Sequence, residues 1–196
     1  MERYKILTCA NGEHYFRVVA RAAVLAFLGA FDTIYYHEWR AGLPALGPRA
    51  RSELQLHAFR DFVYAVLFAG LPWVAWEGWC MVLLVALLLA EVVLTLWDFV
   101  VEDWIRKPLG GVYAGERVMH GIMGIVYGAM LANMVPTLRT WWAKPTGFVY
   151  SPAPISGALR WVMILMAVGV FLSGVRDFCA AVGMRYSAWP WVSHKQ

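Results

Sequence analysis

The sequence predicts an all-α integral membrane protein with five transmembrane helices, the first four forming a four-helix bundle of two duplicated hairpins. Its 196 residues are 61% hydrophobic and only 15% charged, with a mean hydropathy of +0.55, whereas about a quarter of a soluble domain is charged. It holds 11 Trp and 9 Tyr, side chains that concentrate at membrane interfaces. A phrase of Glu, His, Val and Tyr also occurs twice at the same internal spacing.

Five segments are long and apolar enough to cross a bilayer, which takes about 20 residues. They are 18–39, 53–72, 77–104, 116–138 and 156–182, with Gly and Pro in the connections. Because lipid offers backbone groups no hydrogen-bond partner, we expect helices and no strands. Pro136 is expected to bend or end the fourth helix. The whole chain, 1–196, is predicted to be one transmembrane domain.

The predicted internal repeat covers approximately residues 24–72 and 90–135. Both copies carry an Asp at a helix end, a Pro and Leu-Gly loop, and then the Glu-x-x-x-His helix with a Tyr seven residues after the His. The matched polar residues are Asp32 with Asp98, Glu53 with Glu116, His57 with His120 and Tyr64 with Tyr127. His37-Glu38-Trp39 matches Glu102-Asp103-Trp104 only after a one-residue slip. Chance similarity between apolar spans is the alternative, but it does not align Asp, Glu, His and Tyr.

The predicted topology brings these polar groups to one membrane face. Helices one and three run in the same direction and carry their acidic residues at their ends. Helices two and four run back and carry Glu and His at their starts. The fifth helix, predicted over 156–182, ends at the same face with Arg176-Asp177.

The convergent carboxylates and imidazoles predict a two-metal site. Ionisable residues are expensive inside a bilayer and indicate function by default, and residues four apart share one face of a helix. Carboxylate and imidazole ligands suit iron, manganese or zinc, and the widely spaced Cys9, Cys80 and Cys179 offer no thiolate site. We expect two metal ions, with iron as the preferred metal and zinc or manganese as alternatives. The predicted ligands are Asp32, Glu53, His57, Asp98, Glu102, Glu116 and His120.

This pattern resembles the di-iron carboxylate four-helix bundles, in which two helices each give a Glu and two give Glu-x-x-His. The resemblance covers the first four helices. The spacing here is four residues rather than three, so the bridging geometry of those proteins does not carry over. The HxxxH and HxxHH boxes of membrane desaturases and hydroxylases do not occur.

Further residues are predicted to support the site. Tyr64, Tyr127 and Glu91 are candidates for catalytic proton or electron delivery, although Glu91 could instead be a structural carboxyl. Asp61, four residues after His57, is expected to orient that imidazole. It could instead pair with Arg60.

The last two supporting residues are adjacent at the end of the fifth helix. Arg176, next to Asp177, is expected to turn inward and balance the acidic cluster. The alternative is that both snorkel to the lipid headgroups.

We therefore expect a membrane metalloenzyme that oxidises a lipid-soluble substrate, in contact with membrane lipid and a redox partner protein. The alternatives are a zinc-dependent lipid hydrolase, a metal-free acid–base isomerase or cyclase of isoprenoid-like substrates, and a non-catalytic assembly or transport protein. The net charge of +4 is attributed to loop residues beside anionic lipid. No nucleic-acid partner is expected.

The predicted location is multi-pass in a plasma or inner membrane, without a removed signal peptide. The positive-inside tendency favours a cytoplasmic location for the membrane face that carries the site. The site side carries Arg40, Arg49, Arg51, Arg106, Lys107, Arg185 and Lys195, against Arg3, Lys5, Arg17, Arg139 and Lys144 on the other side.

Overall fold

The computed structural model describes residues 2–184 and 187, and the side chains of 12–108, 110–184 and 187. Arg3, Lys5, Arg185 and Lys195, used above for orientation, therefore lie outside the described side chains. The helices are α1 (Glu2–Phe31), α2 (Leu43–Leu46), α3 (Arg51–Gly70), α4 (Cys80–Arg106), α5 (Ala114–Trp142) and α6 (Gly157–Ala181). A nine-residue π-helix, Asp32–Arg40, continues α1, and 3₁₀ turns cover Gly47–Ala50 and Lys107–Leu109.

Within the described residues, four stretches are long and apolar enough to span a membrane: Gly12–Arg40, α4, α5 and α6. Their outer faces carry exposed apolar side chains such as Leu96, Ile125 and Leu165, as expected for helices surrounded by lipid. The predicted second span, 53–72, corresponds to α3, which is not among the four. Its apolar residues are interrupted by Arg51, Glu53, Arg60 and Asp61.

The expectation of no strands is wrong in two connections. Strand β1 (Val74–Glu77) precedes α4, and β2 (Gly147–Tyr150) precedes α6. The strands pair antiparallel, with Val74 opposite Tyr150. Both lie between helices, where their backbone groups bond to each other. Lys144 Nζ donates to Glu77 Oε1 at 2.5 Å beside this pair.

Pro136 does not end the fourth long helix. Helix α5 continues through it to Trp142, although proline has no N–H to donate a hydrogen bond to the carbonyl four residues earlier. One turn later, the Thr140 hydroxyl donates to the Pro136 carbonyl at 3.1 Å.

The long helices associate in two groups. Helix α1 packs along α5, whereas α3 packs along both α4 and α6. Contacts within the predicted hairpins, between α1 and α3 and between α4 and α5, are few. Each group therefore combines one helix from each copy of the predicted repeat. The main apolar core includes Val18, Ala22, Leu67, Leu84, Met130, Met134 and Met163.

Candidate metal centre

Thirteen ionisable side chains meet where the π-helix, the starts of α3 and α5, and the ends of α4 and α6 come together. We name this group the ion cluster. It contains seven carboxylates, three imidazoles and three guanidiniums, most of them less than 9% exposed. Its members are Asp32, Glu38, Glu53, Asp98, Glu102, Glu116, Asp177, His37, His57, His120, Arg60, Arg106 and Arg176. All seven predicted metal ligands are among them.

Two His–Asp pairs form the most regular part of the cluster. His57 Nε2 lies 3.2 Å from Asp98 Oδ2, and His120 Nε2 lies 3.2 Å from Asp32 Oδ2. The repeat matches His57 with His120 and Asp98 with Asp32. The two pairs are therefore equivalent in sequence and alike in distance, and each joins the two copies.

Arg106 connects the two matched glutamates. Its Nε donates to Glu53 Oε1 at 2.8 Å and its Nη2 to Glu116 Oε1 at 3.1 Å. Because this side chain is only 1% exposed, counting it as a loop charge beside lipid was wrong. No motif singles it out, since it follows an apolar span and precedes Lys107-Pro108 as an ordinary flanking charge would.

The π-helix brings His37 into the cluster. The first copy has one more residue between its Asp and Trp than the second, which is the slip noted above. A π-helix holds that extra residue through i to i+5 bonds, such as the 2.8 Å bond from the Ala41 N–H to the Tyr36 carbonyl. His37 Nε2 then lies 3.3 Å from Asp32 Oδ2 and 3.1 Å from Glu116 Oε1. His37 was not among the predicted ligands. The one-residue offset in the alignment of the two copies was the sequence feature that could have indicated it.

In the part of the chain that the structure describes, two sets of side chains could each hold one metal ion. Asp32, His37 and His120 form the first, and Glu102, Glu116 and His120 form the second. Within each set, one ligand atom from each residue lies within 4.8 Å of the others. Glu53, His57 and Asp98 belong to neither set. The structure thus gathers the predicted ligands without arranging them in two matching sets.

The carboxylates of the cluster carry unpartnered oxygens. One oxygen from each of five buried carboxylates has no hydrogen-bond partner, and such groups are costly when buried. Seven carboxylates against three guanidiniums leave an excess of four negative charges if the imidazoles are neutral. Two divalent cations would balance this excess, so the donor set fits such ions. The five atoms are Asp32 Oδ1, Glu53 Oε2, Asp98 Oδ1, Glu102 Oε2 and Glu116 Oε2.

The expected contact between Asp61 and His57 is not formed. Among the described side chains, the carboxylates within 4.0 Å of the His57 nitrogens are those of Asp98 and Asp177. Arg60 does not pair with Asp61 either, because its Nη1 donates to Asp98 Oδ2 at 2.8 Å. Asp61 lies instead against α6, beside the backbone of Gly174, since neighbouring helices decide which way a side chain can turn.

Arg176 points toward the bundle. Its Nη2 donates to Asp177 Oδ1 at 2.8 Å and also contacts Glu38 on the π-helix. The arginine is partly exposed and Asp177 is buried. Arg176 therefore connects the end of α6 with the first copy, as its predicted inward orientation requires.

Glu91 and the two tyrosines form a separate polar group on the bundle interior. Tyr64 Oη and Thr95 Oγ1 donate to Glu91 Oε1 at 2.7 and 2.8 Å. Tyr127 Oη donates to the Leu88 carbonyl at 2.9 Å, one turn earlier on α4. Glu91 is seven residues before Asp98, which is about 10 Å along a helix. This group and the ion cluster are thus two distinct polar regions.

A cavity of about 620 Å³ lies between the helices and reaches both regions. All five long helices contribute to its wall, which is largely apolar. Asp32, Arg60 and His120 of the ion cluster line it, as do Tyr64, Glu91 and Tyr127.

No family model matches this chain, and the searches of curated proteins and of solved structures found no match. Function is therefore inferred from the site itself.

Proposed function

We propose that this chain is a membrane-embedded metalloenzyme that acts oxidatively on a lipid-soluble substrate. Its carboxylate and histidine site would hold two metal ions, with iron as the preferred metal. The observation that carries this proposal is the buried excess of carboxylates, with five unpartnered oxygens, beside a largely apolar cavity. Cavities of this size with a few convergent polar groups are typical of small-molecule sites.

The proposal includes five spans and a duplicated pair of hairpins. The charges of α3 do not prevent it from crossing the membrane if they face the bundle, as charged residues in membrane helices almost always do. Glu53 bonds to Arg106 and Arg60 bonds to Asp98. The equal distances in the two His–Asp pairs support duplication. So does the π-helix, which accommodates the one extra residue of the first copy.

Within this proposal, one ion would be held by Asp32, His37 and His120, and the other by Glu102 and Glu116. Glu53, His57 and Asp98 lie in the same cluster and would complete the ligand shell. Bound iron would supply the redox chemistry with dioxygen that amino-acid side chains lack. A redox partner protein would supply the electrons.

The surrounding residues then position the substrate and handle protons. The apolar wall excludes water, which strengthens electrostatic interactions inside the site. The hydrogen bond from Tyr64 to Glu91 holds a proton next to the cavity. We assign Tyr64, Tyr127 and Glu91 to proton or electron delivery toward the cluster.

A second candidate is metal-free acid–base catalysis on an isoprenoid-like substrate. The two His–Asp pairs favour it, because a carboxylate at 3.2 Å can orient an imidazole as a general base. Asp32 and His120 also line the cavity.

Elemental analysis of the purified protein separates these candidates. We expect two irons per chain in the wild type. Replacing two of the three cluster histidines, His57→Ala with His120→Ala, should abolish metal content while the protein still elutes as a folded species in detergent. The control is His14→Ala, because His14 lies outside the cluster near Asn133. Stoichiometric metal in the double variant excludes the proposed ligands, and a wild type without metal favours acid–base catalysis.

A further inference from the structure

We propose that the central cavity binds one single-chain lipid with a hydroxyl group, taken up from the bilayer, and that glycines in its wall set the size of the ligand. The role of this lipid as substrate rests on the proposed function. Its binding does not, because the cavity requires no metal.

Four glycines from three helices face this cavity: Gly29, Gly124, Gly128 and Gly169. A Cβ added at any of them would meet no atom within 4 Å. A glycine inside a helix costs about 0.8–1.0 kcal/mol relative to alanine. Since close packing does not require glycine at these positions, we infer that they keep space for a ligand.

Gly174 on α6 shows the contrasting case. A Cβ there would lie 3.0 Å from Asp61 Cβ and 3.1 Å from the Ala58 carbonyl. Its small size lets α6 approach α3 closely. The same helix therefore has one glycine that serves packing and another, Gly169, that faces the open cavity.

The cavity connects with the lipid-facing surface. Ile34, Leu96 and Leu165 line it and are also 60–68% exposed. They lie on α1's π-helical extension, α4 and α6. An apolar molecule can therefore enter sideways from the bilayer without passing through water.

The wall identifies the class of ligand. An apolar chain matches the apolar residues that make up most of the wall. A hydroxyl group matches the acceptors and donors at the ion cluster, where Asp32, Arg60 and His120 face the cavity. The apolar residues include Leu25, Phe68, Val92, Met123, Leu131 and Met166.

Photolabelling with a 16-carbon alcohol that carries a diazirine in its chain tests the inference. Chelator-treated protein in detergent is irradiated with this probe, and the labelled residues are located by mass spectrometry. We expect labels on cavity-lining residues and competition by unlabelled hexadecanol. A phosphatidylcholine that carries the diazirine in one acyl chain should label lipid-facing residues of α4 instead.

Glycine substitutions provide the matched comparison. Gly124→Phe and Gly128→Phe should each lower cavity labelling at least about tenfold, equivalent to ~1.4 kcal/mol of binding. Gly121→Phe should leave it unchanged, because Gly121 is on the same helix with open space at its Cβ but does not line the cavity. Gly169→Phe, on α6, is an independent second variant that should fill the cavity from another helix. Detergent elution and circular dichroism verify folding of each variant.

Equal labelling in the Gly121, Gly124 and Gly169 variants would overturn the inference, as would cavity labelling that hexadecanol does not compete. Preferential cavity labelling by the phospholipid would overturn the single-chain assignment. Because the assay uses metal-free protein, absence of iron in the wild type would disprove the proposed function without changing these results.

Discussion

The two His–Asp pairs that join the copies of the predicted repeat have different surroundings. Both pairs have a nitrogen-to-oxygen distance of 3.2 Å. In one, Arg60 bonds to Asp98 at 2.8 Å. In the predicted repeat, the residue that corresponds to Arg60 is Met123. The carboxylate of Asp32 lies near the imidazole of His37. The pair with no guanidinium hydrogen bond among the described side chains is also the one whose residues belong to the candidate metal sets.

The neighbouring position shows the same divergence. Asp61 in the first copy packs against α6 at Gly174, whereas the matched residue in the second copy is Gly124, which opens to the cavity. Asp61 also lines the cavity, so the two matched positions differ in how closely another helix approaches them. The comparison shows that two His–Asp pairs with the same distance can differ in the charged groups that surround them.

Removing the link between the copies should have the largest effect. Arg106→Met leaves Glu53 and Glu116 buried without their guanidinium, and breaking a buried ion pair costs about 3–5 kcal/mol. We expect a loss of this size in the free energy of unfolding, measured in mixed micelles. Lys107→Met, at the adjacent exposed position, is the control. Similar values for the two variants would show that Arg106 does not join the halves.

Exchanging the divergent side chains should have an intermediate effect. Arg60→Met makes the first copy resemble the second and frees Asp98, so we expect metal affinity to rise about tenfold, or ~1.4 kcal/mol. Met123→Arg should lower affinity, because it introduces a cation near Asp32. Titration with Fe²⁺ under anaerobic conditions measures both. If both variants bind like the wild type, countercharge does not explain the difference between the halves.

Removing the extra residue of the first copy should have the smallest effect. Asp32 and His37 are five residues apart in the π-helix, and deletion of Ile34 makes them four apart. In an α-helix that separation again places them about 40° apart on one face, as for Asp98 and Glu102. We expect metal content within about twofold of wild type, below ~0.5 kcal/mol. Loss of metal with a folded protein would contradict the matching of His37 to Glu102.

Much of the fold could be anticipated because helical periodicity is a local property. Glu53 and His57 were expected on one face, and the alternation of helix direction brought them to the level of Asp98 and Glu102. What could not be anticipated depends on distant neighbours. Arg106 resembles a loop charge until both glutamates surround it, and the orientation of Asp61 is set by the approach of α6. The strands β1 and β2 are too short to give a periodic pattern.

The cross-pairing of α1 with α5 and α3 with α4 has a consequence for biosynthesis. Asp32, Glu53 and His57 are synthesised before His120, Arg106 and Asp98, the partners that the second half of the chain supplies. At about 5–20 residues per second, the 63 residues from Leu54 to Glu116 take roughly 3–13 s. During that interval these side chains can be stabilised only by water or by neighbours in the first half of the chain, such as His37 beside Asp32. Synthesis of α4 and the start of α5 then supplies Arg106 and Glu116, and the guanidinium can bond to both glutamates.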